Sequence, residues 1–153
     1  MSADDVWLDD REQAAWRVYL SSHARLVAEL NRRLVAVCGL TINDYQVLVN
    51  LSEAPEGRLR SFELAEAMQW ERSRLTHQLT RMEGRSLVGR EVCEDDRRGS
   101  FVAITTAGRR VLRRAAPHHA ADVRELFVTP AGAQIGAVAA VADRMSSALE
   151  TME

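Results

Sequence analysis

Apolar and polar positions alternate with a helical period over most of the chain, and the joints lie where that period fails. Trp16, Leu20, His23, Val27, Leu30, Leu34 and Val37 recur at spacings of four and three, which predicts one long helix with a single stripe. Asp9, Asp10 and Glu12 suit the positive end of its dipole, and Gly39 ends it. Thr41, followed three residues on by Asp44, has the pattern of a reciprocal cap. It opens a second helix with Tyr45, Leu48 and Val49 as core positions, which "EAPEG" breaks. "RLR" has room for one small strand, and Ser61 is placed to cap a short helix with Leu64, Ala65 and Met68 facing inward. After a tight turn, Leu75, Leu79 and Met82 define the inner side of a further helix. Its outer side then carries Trp70, Ser73, His77 and Thr80, flanked by Arg74 and Arg81.

"LVGREVC" and "SFVAIT" have the residue types of two strands, joined as a hairpin by "EDDRRG". Thr105 caps the next helix, which reads through "AGRRVLRRAA" until Pro117 bends or interrupts it, with "LFVTP" as its end. Thr129 as N-cap and Pro130 in the first turn start a last helix, with Ile135, Val138, Val141, Ala142, Met145 and Leu149 as its stripe. The predicted fold is mainly α with a small β-hairpin: a winged helix-turn-helix flanked by N- and C-terminal dimerisation helices. The expected organisation is a single domain over 1–153, with a DNA-binding lobe at 39–108 and a helical dimerisation region from 1–38 and 109–153. In this geometry a helix fits the DNA major groove, and the hairpin beside it reaches towards the neighbouring minor groove. "EDDRRG" carries more charge than a turn needs. Arginine at such a tip gains from the negative potential of a narrow minor groove, and glycine permits the turn.

Composition sharpens this picture. The chain of 153 residues is 46% hydrophobic and 27% charged, the balance of a globular protein with a real core. No apolar run approaches the length of a membrane span, and "MSADDVWLDD" lacks the features of a signal peptide, so a cytoplasmic protein with no membrane partner is expected. Net charge is −2, yet residues 57 to 114 hold 13 of the 20 basic side chains and 8 of the 22 acidic ones. The middle is basic and the ends acidic, and that segregation is the electrostatic signal. All the basic residues are arginine, a compositional bias that needs no phosphate to explain it. There is no Gly-rich phosphate loop, no nucleophile elbow and no Cys/His metal spacing, so neither an enzyme nor a cofactor nor a metal is expected. His118 and His119 are adjacent and point roughly 100° apart on a helix, a poor chelating pair. Cys38 and Cys93 read as free thiols.

"GLTINDYQVLVNLSEAPEGRLRSFELAEAM", "WERSRLTHQLTRME" and "LVGREVCEDDRRGSFVAITTAGRRVL", with the helical ends, resemble the MarR family of winged-helix transcriptional regulators over nearly the whole chain. The most specific part is the wing signature: Asp96, Arg98, Val102, Ile104, Thr105 and Gly108. One departure stands out, because Ser86 occupies a place where the family usually has glycine. The resemblance implies that Arg98 enters the minor groove while Asp96 holds the wing in shape. Ser73, Arg74, His77 and Arg81 then supply base and phosphate contacts, and Ser61, Arg72, Gln78 and Arg97 complete the DNA-binding set. It also implies a homodimer on a pseudo-palindromic double-stranded operator, acting as a repressor and released by a small aromatic or phenolic effector. Trp16, Tyr19 and His23 are the candidate effector-binding residues, although aromatics on a helix face are more often packing. Two alternatives stay open. Cys93 near the wing tip offers a redox-responsive regulator, its thiol favoured as thiolate by Arg97 or Arg98 and opposed by Glu94, Asp95 and Asp96. A winged helix used only for protein contacts is the other, and the segregated basic charge counts against it.

Overall fold

The computed structural model describes residues 7–91 and 100–152. It divides into two compact units, Val27–His119 and a second formed by 1–26 with 120–153.

The larger unit holds the end of α1 (Asp10–Cys38), then α2 (Ile42–Glu53), β1 (Arg58–Arg60), α3 (Ser61–Ala67), α4 (Arg72–Gly84), β2 (Val88–Glu91), β3 (Phe101–Ile104) and most of α5 (Thr106–Val123). The three strands form one antiparallel sheet in the order β1-β3-β2, with Arg60 opposite Phe101 and Val88 opposite Ile104. The predicted hairpin is therefore extended by "RLR" on its other edge. Leu34, Leu40, Leu48, Leu51, Leu64, Leu79, Met82 and Val102 are fully buried and form one core beneath the helix-turn-helix and the sheet.

Local chemistry explains most element ends. Gly39 stops α1 by adopting a φ of 66°, which glycine takes without steric cost. Thr41 and Asp44 form the reciprocal cap of α2: the Thr41 hydroxyl accepts from the Asp44 N–H, and the Asp44 carboxylate accepts from the Thr41 N–H. Thr105 caps α5, its hydroxyl accepting from the Gly108 N–H at 2.9 Å.

Several sequence expectations need correction. On α2 the core positions are Val47, Leu48 and Leu51, with Val49 and Tyr45 only half-buried, because the capping turn rotates Asp44 and its i+3, i+4 and i+7 neighbours inward. On α1 the buried stripe is Leu30, Leu34 and Cys38, and Val37 is exposed. A strict spacing of four keeps those three on one side over the last two turns. Ser61 is the first residue of α3 and Arg60 its N-cap. The Glu63 carboxylate accepts from the Arg60 N–H, which frees the Ser61 hydroxyl to donate to the Ser100 carbonyl at 3.0 Å.

The largest correction concerns the C-terminal third. Pro117 lies inside α5 without ending it, and a π-helical turn over Arg124–Val128 leads straight into α6 (Thr129–Ala131). Thr129 is already helical (φ −63°, ψ −47°) and caps nothing. The break falls at Gly132, where φ is 49°, and α7 (Ile135–Glu150) follows a 3-10 turn. Proline in a helix removes one donor and crowds a carbonyl without reversing φ, whereas the φ of 49° and ψ of −126° at Gly132 suit only a residue without a Cβ, so the chain breaks at the glycine. By length and composition alone, Thr106–Glu150 reaches the threshold for a membrane span, with a mean hydropathy of 1.4 over its most apolar 18 residues.

In the smaller unit no described residue is buried. The reciprocal cap at its start joins Asp9 and Glu12, each backbone N–H donating to the other's carboxylate.

Candidate nucleic-acid interface

The turn between α3 and α4 spans 68–71, with Gln69 at a φ of 51°, and it delivers α4 with Leu75, Leu79 and Met82 packed inward. From 72 to 81 the exposed residues of α4 are Arg72, Ser73, Arg74, Thr76, His77, Thr80 and Arg81. Three arginines, one histidine and three hydroxyls with no acid among them make this face basic and rich in donors. Thr76 and Thr80 donate to the carbonyls one turn earlier, at 2.9 and 3.0 Å, and the Thr80 oxygen in turn accepts from Arg90 at 3.4 Å. Trp70 is not part of that face as expected. It sits in the turn, half-buried against the core, and the Arg74 guanidinium lies 4.1 Å from its ring centroid. Trp70 is thus a platform that steadies Arg74.

Ser61 and Arg72 come together with Phe62, Thr76, Arg90 and Ser100 around a cleft of about 280 Å³ between α3, α4 and the sheet. The sequence reading missed Arg90. The period of two in β2 puts Arg90 on the same face as buried Val88, but two residues further towards the exposed end of the strand. Arg90 pairs with Glu83 at 3.1 Å. On the neighbouring strands, the guanidinium groups of Arg58 and Arg60 lie 4.9 and 4.8 Å from the Phe101 ring centroid. Hydrogen bonds to Glu91 and Glu56 raise the Arg58 pKa further above its ordinary value. Cys93, Asp96, Arg97 and Arg98 lie outside the described residues.

Gln78 corrects the sequence reading. It is 2% exposed and faces the core edge of α4, not the groove-facing side. Its Nε2 donates to Asp44 Oδ1 at 2.6 Å, and its Oε1 accepts from Arg81. Asp44 is equally buried, and its Oδ2 accepts from Arg85 at 2.8 Å. Arg85 also donates to the Gly39 carbonyl, tying the end of α4 to the corner between α1 and α2. Asp44 was legible as a cap; its reach to α4, 34 residues away, was not.

The candidate effector residues Trp16, Tyr19 and His23 form a stacked ladder along α1, with ring centroids 5.9 and 6.2 Å apart. All three are exposed. Tyr19 also borders an apolar groove of about 530 Å³ with Val138, Val141, Met145 and Leu149 of α7. In the larger unit, Tyr45 packs on His119 at 4.5 Å, and burial, then Glu53, pushes its phenol pKa up. Among the described residues no three metal-ligating side chains are grouped to hold an ion.

A helix-turn-helix followed by an antiparallel hairpin that pairs with a strand before it defines a winged helix. The model of the MarR family matches residues 40–100. AbsC, a MarR family transcriptional regulator from Streptomyces coelicolor, is 41% identical, with 95% of this chain and 98% of that one covered at a TM-score of 0.87. Sco3205 from the same organism, a MarR family regulator solved in complex with DNA, is 36% identical over 92% of this chain and 88% of its own, with a TM-score of 0.86. CouR from Rhodococcus jostii RHA1, solved bound to p-coumaroyl-CoA, is 25% identical over 94% and 92%, with a TM-score of 0.66. No curated protein matches by sequence. The chain belongs to the MarR family of transcriptional regulators.

Proposed function

We propose that this protein is a homodimeric, sequence-specific binder of double-stranded DNA that represses transcription in the cytoplasm. The observation that carries this reading is the exposed face of α4, which from 72 to 81 holds three arginines, a histidine and hydroxyls without one carboxylate. In a chain of net charge −2 such a face marks the surface offered to a polyanion. Ser73, Arg74, His77 and Arg81 take base edges and phosphates in the major groove. Ser61, Arg72 and Arg90 at the cleft take the backbone, and Arg98, with Arg97, enters the minor groove from a wing shaped by Asp96. The relative solved with DNA, 36% identical, supports the same reading.

The dimer reading rests on the smaller unit, where Val141 and Leu149 are 49% and 65% exposed and no described residue is buried. Apolar stripes of that length need a partner surface, and a second copy supplies it with two-fold symmetry matching a pseudo-palindromic operator. A small aromatic ligand that weakens DNA binding is the proposed regulation, supported by the ligand-bound relative at 25% identity. Trp16, Tyr19 and His23 are the first residues to test. A panel of aromatic acids titrated against the DNA complex checks it, with an expected coupling of about 1 to 3 kcal/mol.

The DNA reading is tested with a fragment selected from random sequence by the pure protein. Arg98→Ala is expected to weaken binding by about 1 to 3 kcal/mol per half-site and to lower its salt dependence. His77→Ala is expected to relax discrimination at particular base pairs with a smaller change in salt slope. Selection of no sequence, or equal binding by Arg98→Ala at every salt concentration, overturns the reading or the wing's part in it respectively.

A further inference from the structure

We infer that Gln78 and Asp44 are positioning residues for Arg81, a relay that carries the N-terminal cap of α2 to the outward face of α4. Its use in DNA recognition rests on the function proposed above, but its geometry does not. Asp44 is buried and both its carboxylate oxygens are engaged: Oδ1 accepts from Gln78 Nε2 at 2.6 Å, while Oδ2 accepts from Arg85 Nη1 at 2.8 Å and the Thr41 N–H at 2.9 Å. A salt-bridged carboxylate only accepts, so it dictates which end of the Gln78 amide it meets. The NH2 end must face Asp44. The carbonyl end then faces away, and it accepts from Arg81 Nη2.

Packing alone does not ask for this arrangement. Leu75, Leu79 and Met82 already fill the core side of α4, so volume alone does not require a polar residue at 78, although an apolar one would leave the buried Asp44 Oδ1 without its Gln78 donor. A glutamine there adds direction. Arg81, three residues on and exposed, is held by one nitrogen and keeps its other donors outward. A guanidinium already confined in the free protein loses less freedom on meeting a phosphate or a base edge. Arg85 anchors the same carboxylate and the Gly39 carbonyl, so the relay is referenced to the corner between α1 and α2 rather than to α4 alone.

The test compares the full-length parent with Gln78→Met, which keeps length and volume but offers no acceptor, with Arg81→Ala, and with the double variant. Asp44→Asn serves as a second disruption, because an amide at 44 no longer dictates the orientation of Gln78. In the free protein, the Arg81 side-chain N–H signals are expected to show restricted guanidinium rotation. That restriction should disappear in Gln78→Met and Asp44→Asn while thermal melting reports an intact fold. Arg81 signals that are the same in parent and variants overturn the proposal, whatever the protein does with DNA. On the DNA fragment selected by the parent, Gln78→Met should weaken binding about threefold to tenfold when Arg81 is present and not at all in the Arg81→Ala background. An equal loss in both backgrounds makes Gln78 a purely structural residue and overturns the proposal. A parent that selects no DNA removes the DNA-binding reading, and the Arg81 signals still decide the relay.

Discussion

Two residues beside the sheet carry backbone constraints of opposite kinds. Ser86, where the family usually has glycine, adopts a φ of 57°. The left-handed conformation costs a residue with a Cβ about 1 to 2 kcal/mol, and the Ser86 carbonyl is fixed there by the Thr105 hydroxyl at 2.7 Å. Ser86→Gly is expected to stabilise the protein by about 0.5 to 1 kcal/mol, the relieved strain less the extra freedom of glycine in the unfolded chain. Urea denaturation measures it. Gly108 is constrained in the opposite sense. A Cβ at 108 would stand 2.2 Å from the Leu87 carbonyl oxygen, 3.0 Å from Ile104 Cγ1 and 3.2 Å from Leu48 Cδ2. That carbonyl is a backbone atom already accepting from the Thr105 N–H, so it has little room to give. Gly108→Ala should destabilise by about 1 to 3 kcal/mol in the same measurement.

At the scale of the element, α1 carries its own acid-sensitive brace. Glu29 accepts from Arg32 at 2.8 and 2.6 Å and from Arg33 at 2.8 Å, spanning one turn. Those hydrogen bonds hold its carboxyl at a pKa of about 2, against an ordinary value of 4.5. A depressed carboxylate contributes stability above its unfolded pKa and loses it as pH falls through the folded value. The melting temperature of the parent should therefore exceed that of Glu29→Gln at neutral pH, and the gap should close between pH 4.5 and about 2. Melts at pH 7, 4 and 2 check this. A gap that persists unchanged to pH 2 would show that the brace works through packing alone.

For the whole molecule, the proposed dimer makes the exposed apolar stripe of α7 the surface to test. Val141 borders the groove beside Tyr19 and is half-exposed, so an aspartate there would bury a charge on dimer formation without disturbing any buried residue of the single chain. The parent, with a chain mass of 17.1 kDa, is expected to sediment as a dimer at micromolar concentration, and Val141→Asp as a monomer or a strongly weakened dimer. Loss of the second recognition helix should then cost about a hundredfold or more in affinity for a two-half-site operator, because binding is no longer bivalent. A folded monomeric parent that binds DNA as tightly as a dimeric one removes this account.

The winged helix-turn-helix was legible because its signals are local. The reciprocal cap at Thr41 and Asp44, the glycine stop at 39, the inward set Leu75, Leu79 and Met82, and the cap at Thr105 are each a few residues long and act within one or two turns. The same locality made Ser73, Arg74, His77 and Arg81 readable as an outer face. What the sequence left open depends on partners far along the chain or on competition between neighbours. Whether Pro117 or Gly132 ends the C-terminal helix is decided by which one demands a reversed φ, and proline does not. Gln78 reads as polar and hence outward; only the approach of α2 to α4 supplies the buried carboxylate that draws it in. Trp70 reads as part of the recognition face until the turn places its ring under Arg74. A burial pattern is written in the order of residues, but the partner that satisfies a buried polar group is chosen by packing.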